Sequence, residues 1–387
     1  MAVPDWIWFV FVFAFGCCIG SFLNVVVYRL PRDKSLVKPP SACPACNRHI
    51  RFYDNIPLVS WLLLGRKCRY CKAPISPRYF VIELLTALVF LGLFLFYFHT
   101  NLRTGVDSFL YGGWLIYLVS VVMLSAFIAA SAIDLELWLI PLSICWFVTA
   151  VGLIASSLGV YIIDPADIAG YDLLPTTRTI FFEQGTIASL AAGATVGLAV
   201  SLLLLATGLI KRSYESADPE APPDQQQGPT DEQEFNHHLE ICREIVFLLP
   251  IIVCSAAAYW LIGQRGWWVD FSQNPVIAGL LGSLWGYFVG CGVVWATRIF
   301  GTLAFGKEAM GLGDVHLMGA AGAVVGWVFV LAAFFIAPFF GLAWVGFQMF
   351  FKKIRQIPYG PFLSLGVFAV MILHDRIFSY LNNIFYR

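Results

Sequence analysis

The chain has 387 residues, 59% of them hydrophobic and 12% charged, and its 24 basic and 24 acidic side chains cancel. Soluble domains carry roughly 25% charged residues, so a soluble enzyme is excluded, and the zero net charge argues against a nucleic-acid partner. The first apolar run covers about Trp6 to Tyr28, behind Asp5 and ahead of Arg29, Arg32, Lys34 and Lys38. That flank pattern predicts an uncleaved membrane helix with its N-terminus outside, not a signal peptide. Gly16 and Gly20 within it give a small-xxx-small face suited to close helix packing.

A basic loop follows over residues 29–78, rich in Pro and Cys. Cys43-Pro44-Ala45-Cys46 and Cys68-Arg69-Tyr70-Cys71 form two CxxC knuckles separated by 21 residues. Four thiolates so spaced can close a tetrahedral site around Zn²⁺, with iron as the other S₄ metal. The alternatives are two disulfides or unligated thiols, and a reducing cytoplasmic loop weakens the disulfides. A loop of this size has too small a core to fold without a staple, so the metal is expected to be structural. Cys17, Cys18, Cys145, Cys242, Cys254 and Cys291 fall mostly in apolar runs and read as small hydrophobes.

Further spans are predicted near 79–98, 112–133, 140–162, 185–210, 244–262 and 276–299. The apolar stretch 315–351 is too long for one helix and is expected to break near Gly326, and a last span covers about 361–380. The expected fold is therefore an all-α polytopic membrane protein of about ten transmembrane helices with a small cytoplasmic zinc-binding loop domain. Its expected divisions are the first helix (1–28), the tetracysteine zinc-binding domain (29–78), helices with a first catalytic Asp (79–210), an acidic disordered cytoplasmic linker (211–243) and the remaining helices (244–387). The linker lacks the apolar residues to fold, and His237-His238 within it reads as solvated. Nineteen of the 24 Lys and Arg residues fall in the segments assigned to the cytoplasm, which fixes the orientation.

Two carboxylates stand at the ends of apolar runs: Asp134, in Ala132-Ile133-Asp134-Leu135, and Asp314, in Gly311-Leu312-Gly313-Asp314. An ionisable group at such a place is a functional-site candidate, the bland alternative being a helix cap or an ion pair. Glycines beside Asp314 allow backbone and substrate to come close. If the pair converges, the two carboxyls share one proton, so that one acts as base toward water while the other polarises a scissile carbonyl. Both are predicted at the cytoplasmic face. Glu83 and Asn24 either orient a substrate or bond between helices, and Glu136 is either a substrate contact or a solvated charge.

These residues resemble the bacterial type IV prepilin peptidases, also called leader peptidase/N-methyltransferases. The resemblance runs through Gly20-Ser21-Phe22-Leu23-Asn24, Asp54-Asn55-Ile56-Pro57 and both cysteine knuckles. It continues at Glu83-Leu84-Leu85, Ile133-Asp134-Leu135-Glu136, Phe305-Gly306-Lys307-Glu308-Ala309-Met310-Gly311-Leu312-Gly313-Asp314 and Pro358-Tyr359-Gly360-Pro361-Phe362. It implies a GxGD aspartyl membrane protease in the bacterial inner membrane, with Asp134 and Asp314 catalytic and Cys43, Cys46, Cys68 and Cys71 holding Zn²⁺. The implied substrates are prepilin and pseudopilin precursors, cut after a glycine in a short basic leader. The implied second activity is methylation of the new amino terminus with S-adenosylmethionine, for which the chain shows no glycine-rich nucleotide fingerprint.

Three departures accompany it. Leu142 stands where the family carries an acidic residue, His316 where a Lys is common, and ten spans are counted against eight. The excess is the hairpin around the acidic linker, which is either inert or steers basic leaders to the membrane. Competing readings are a peptidase without methylation, an inactive prepilin-binding assembly factor and a proton-coupled transporter. The transporter would call for inverted repeats and helices broken at mid-membrane, neither of which the sequence shows.

Overall fold

Small residues decide which helices touch. A computed structural model describes residues 4–100, 102–106, 109–177, 184–211, 213, 237–350 and 358–385, and among these the secondary structure is helical, with two isolated β-bridges in the cysteine loop. Helix α1 (Asp5–Arg29) lies on α3 (Pro77–Phe98), across a short α2 (Val59–Leu63) in the loop between them. A Cβ at Gly16 would stand 2.7 Å from the Ala87 Cα, and one at Gly20 2.6 Å from the Glu83 Cα. The glycine pair expected to carry a packing face does so. Asn24 Nδ2 donates to the Gly20 and Tyr79 carbonyls at 3.2 and 3.1 Å, the helix-bonding role rather than the substrate one.

The next helices are α4 (Trp114–Leu137), α5 (Leu142–Leu158), a short α6 (Pro165–Tyr171), α7 (Gln184–Ala206) and α8 (His237–Ile262). After a short α9 (Gly266–Ser272) come α10 (Pro275–Phe305), α11 (Leu312–Val325), α12 (Trp327–Phe350) and α13 (Gly360–Phe385). Gly326, at φ 86°, ends α11 where the sequence predicts a break. The sequence predicts about ten spans, and among the described residues the tenth apolar helix, α11, is too short to count as one. Nine helices are long and apolar enough to cross a membrane, whereas α11 has only 14 residues.

The hairpin that the sequence reading counts as excess is α7 and α8. It closes on glycines: Cβ atoms at Gly193 and Gly197 would stand 2.4 Å from the Cys254 and Pro250 carbonyl oxygens. The expected linker boundary at 243 moves, because α8 begins at His237 and takes in His237-His238. An i,i+3 pair between Glu240 and Arg243 (2.6 Å) stabilises that first turn, so charge that read as linker belongs to a helix start. Residues 214–236 of the linker lie outside the described residues.

Helices α10 and α11 approach until backbones touch. A Cβ at Gly286 would meet the Gly322 carbonyl oxygen at 2.0 Å, and one at Gly322 would meet that of Gly286 at 2.0 Å. Of the 14 residues of α11, those from Asp314 to Val324 are almost all buried. At the end of the molecule away from Asp134 and Asp314, Asp375 of α13 accepts from the Arg103 guanidinium (3.2 Å) and the Thr104 N–H (2.6 Å). This pins the α3–α4 connection to the last helix.

Candidate active site and cysteine cluster

Asp134 closes the last turn of α4, where Trp138 takes a left-handed conformation (φ 55°) and its N–H returns to the Asp134 carbonyl at 2.9 Å. Asp314 sits in the first turn of α11, its N–H on the Gly311 carbonyl at 3.2 Å. The two side chains, far apart in sequence, come to one place. Ile140, just before α5, joins them: a Cβ at Gly313 would stand 2.8 Å from the Ile140 Cβ, and one at Gly360 3.0 Å from its Cδ1. Gly360 itself donates its N–H to Asp134 Oδ2 at 3.2 Å. The two carboxyls lie within each other's electrostatic reach, and Arg298 also acts on Asp314. Both are buried, at 6% and 8% exposure.

Sequence reasoning passed over two groups here. Gly360 must be a glycine, because a Cβ would stand 2.6 Å from Asp134 Oδ2. Tyr359 borders Asp314, and burial together with that neighbouring charge pushes its phenol up to about 12. The Pro358-Tyr359-Gly360-Pro361 run was the available signal, since Gly-Pro beside a helix start marks a turn brought close to something. His316 points into a helix interface, with Nδ1 3.0 Å from the Tyr287 hydroxyl and its ring 5.4 Å from that of Trp146. Leu142 opens α5 and is exposed.

Two links run from this end toward the cysteine loop. Glu83 Oε2 accepts the Leu58 N–H at 2.7 Å, which ties the loop to α3, and its carboxyl also bonds the Ser21 hydroxyl of α1, the helix-bonding role. Glu136, two residues past Asp134, pairs with Arg78 at the start of α3. It is thus neither free nor simply solvated.

The two knuckles repeat one geometry. Asn47 (φ 54°) and Lys72 (φ 60°) each follow the second cysteine of a CxxC, and their N–H groups return to the Cys43 and Cys68 carbonyls at 2.8 and 3.0 Å. The N–H groups of Cys71 and Tyr70 lie on the Cys68 sulfur and bring its pKa down to about 6, favouring thiolate. Cys43, Cys46, Cys68 and Cys71 place their sulfurs within 4.8 Å of one another, a group that can hold a metal ion. All ten cysteines are free thiols. Asp54 and Arg69 brace the knuckles with a two-pronged pair (2.5–3.0 Å), whose hydrogen bonds hold the Asp54 carboxyl below its usual range.

The Bacterial Peptidase A24 N-terminal domain matches residues 14–97, and the Type IV leader peptidase family matches residues 245–346. Over these two segments the chain is similar to the type IV leader peptidases. A prepilin leader peptidase/N-methyltransferase of Myxococcus xanthus is 44% identical over 135 residues, covering 35% of this chain and 36% of that protein. One from Aeromonas hydrophila is 38% identical over 160 residues, covering 35% and 50%. The type 4 prepilin-like proteins leader peptide-processing enzyme of Escherichia coli is 41% identical over 160 residues, covering 36% and 54%. The chain thus spans between about a third and about half of these curated relatives. No solved structure matches it. The tetrathiol loop falls in the first matched segment and Asp314 in the second, while Asp134 lies between them.

Proposed function

We propose that this protein is a membrane aspartyl endopeptidase that removes the short basic leader of prepilins and pseudopilins at the cytoplasmic face of the bacterial inner membrane. The observation that carries this reading is the meeting of Asp134 and Asp314, from helices far apart in sequence, beside the backbone of Gly360. One carboxylate takes a proton from water as the water attacks the scissile carbonyl, while its protonated partner hydrogen-bonds the carbonyl oxygen. The proton then passes to the leaving amine. Gly311, whose added Cβ would meet nothing nearer than Asp314 Oδ2 at 3.6 Å, leaves backbone beside the pair bare, so an extended peptide can lie against it. The basic loop of residues 29–78 puts its charge on the side where a prepilin leader would remain. The relatives are named as methyltransferases as well, and we extend methylation of the new amino terminus to this chain on that ground, with S-adenosylmethionine as donor and no residue assigned to it.

The purified protein is expected to shorten a prepilin, and mass spectrometry of the mature amino terminus reads both cleavage position and any added methyl group. Absence of a shortened product at every pH between 5 and 9, roughly the range in which such a dyad can hold one proton, would overturn the peptidase. A product without the extra methyl mass would overturn the methyltransferase alone.

The four cysteines are assigned a structural Zn²⁺. Ligands at about 2.3 Å around a tetrahedral ion stand about 3.8 Å apart, and the Cys43 and Cys71 sulfurs are 3.8 Å apart. With four thiolates no position is left for water, so the metal would hold the loop together and take no part in hydrolysis. Cys43→Ser is expected to lower bound zinc from about one ion per chain to less than about a tenth. It should also expose residues 40–76 to protease, with part of the peptidase activity surviving. Elemental analysis together with limited proteolysis checks this; intact protein free of metal would refute it.

A further inference from the structure

Arg298 is the largest of the fully buried side chains, at 1% exposure, and it lies in α10 away from both carboxyls in sequence. Its surroundings explain why it is there. After Phe305 the chain turns at Gly306 (φ 63°) and runs back along the last turns of α10 before α11 begins. The Ala309 N–H meets the Thr302 hydroxyl at 3.3 Å, and the Arg298 guanidinium donates to the Met310 carbonyl and, at 2.6 Å, to Glu308. Met310 directly precedes Gly311, the cap of the helix that carries Asp314. Arg298 therefore holds the segment that aims the second carboxylate.

Arg298 is itself held from the other side. Glu244 of α8, 3% exposed, accepts from Arg298 Nε at 2.8 Å, from Trp295 Nε1 at 3.0 Å and from the Ser213 hydroxyl at 3.4 Å. Two ions this deeply buried are tolerated only with good geometry and their remaining valences satisfied, and removal of one partner is far worse than absence of both. Glu308, the other anionic partner, is 45% exposed along its side chain and cannot replace a buried counter-charge.

We propose that Glu244 is a positioning residue for Asp314, acting through Arg298 and the Met310 carbonyl. The hairpin of α7 and α8 then acts as a brace for the catalytic loop. This rests on the peptidase reading for its kinetic consequence but not for its structural one.

The test compares Glu244→Gln with wild type, both full-length and purified in lipid nanodiscs. It uses prepilin cleavage and hydrogen–deuterium exchange of the peptide covering residues 306–316. A clamp predicts that kcat falls about 10²-fold, the cost of a misplaced catalytic group, with KM changed less than about twofold. Exchange over 306–316 should quicken while α12 keeps its protection. Glu244→Asp, which retains the charge, should recover part of kcat. A Gln variant with wild-type kcat, or with unchanged exchange at 306–316, overturns the proposal. Equal loss of protection throughout the bundle would mark Glu244 as merely structural and also overturns it. If wild type itself cleaves no prepilin, the peptidase reading fails, and exchange alone decides the clamp by the same criterion. Should the Gln variant not be recovered folded, Trp295→Phe removes one donor and keeps the ion pair; quickened exchange at 306–316 supports the clamp, and unchanged exchange overturns it.

Discussion

Asp134→Asn and Asp314→Asn are each expected to lower prepilin cleavage by about 10⁴-fold or more, the loss seen when one member of a catalytic unit is removed. The protein should remain inserted at its normal level. An asparagine at 134 keeps an oxygen for the Gly360 N–H, now at 3.2 Å from Oδ2, so the junction of α4 and α13 survives. What disappears is the exchange of a proton between the two side chains, because an amide can neither act as base toward water nor give up a proton at the pH of the reaction. The double variant should be no slower than the worse single one, since the two groups work as a unit. Quantifying full-length and shortened prepilin by mass spectrometry after matched incubations provides the check. Either single variant retaining a tenth of the wild-type rate would sink the pair.

Gly286→Val is expected to prevent recovery of folded protein. The added Cβ would fall 2.0 Å from the Gly322 carbonyl oxygen, and that oxygen belongs to a helix backbone that cannot rotate away as a side chain can. Overpacking ordinarily costs about 1–3 kcal/mol and more where backbone must move. Here the displaced helix is the one that carries Asp314. At Gly292, on the same helix, an added Cβ would meet nothing within 4 Å, so Gly292→Ala should stay within about 0.5 kcal/mol of wild type. Size-exclusion profiles and thermal unfolding of both variants in detergent distinguish the cases. A monodisperse Gly286→Val protein with normal unfolding would contradict the packing.

Features set by neighbouring residues were legible in the sequence. The Gly16 and Gly20 face, the break at Gly326 and the two cysteine knuckles all depend on spacing along one segment, and spacing is what a sequence displays. The meeting of Asp134 with Asp314 was readable only as a possibility. Helices that are apolar on every side carry little amphipathic signal to say which neighbour each will face, so nothing in α4 announces α13. For the same reason Gly360 enters the sequence reading only within the resemblance and not as a donor to Asp134. Arg298 was the one missed group with a plain signal, a charge near the end of an apolar run. Its partner, Glu244, falls on the first residue of the span expected over 244–262, whereas the helix starts seven residues earlier, at His237, and carries Glu244 past its first turn. Glu83 was recognised as out of place in a span, but its bond to Leu58 requires a fold-back of the cysteine loop that no local pattern encodes.

The brevity of α11 has a consequence for hydration. A helix of 14 residues is about 21 Å long, against about 30 Å of hydrocarbon. Its neighbours cover it almost entirely, so lipid cannot close the difference by thinning around it. The segment before it runs back along α10, with the Ala309 N–H on the Thr302 hydroxyl and the Met310 carbonyl on the Arg298 guanidinium. Asp314, in the first turn of α11 and 8% exposed, therefore stands inside the protein and not at its lipid-facing surface. On the peptidase reading, water reaches the second carboxylate between the protein's own helices rather than through the bilayer.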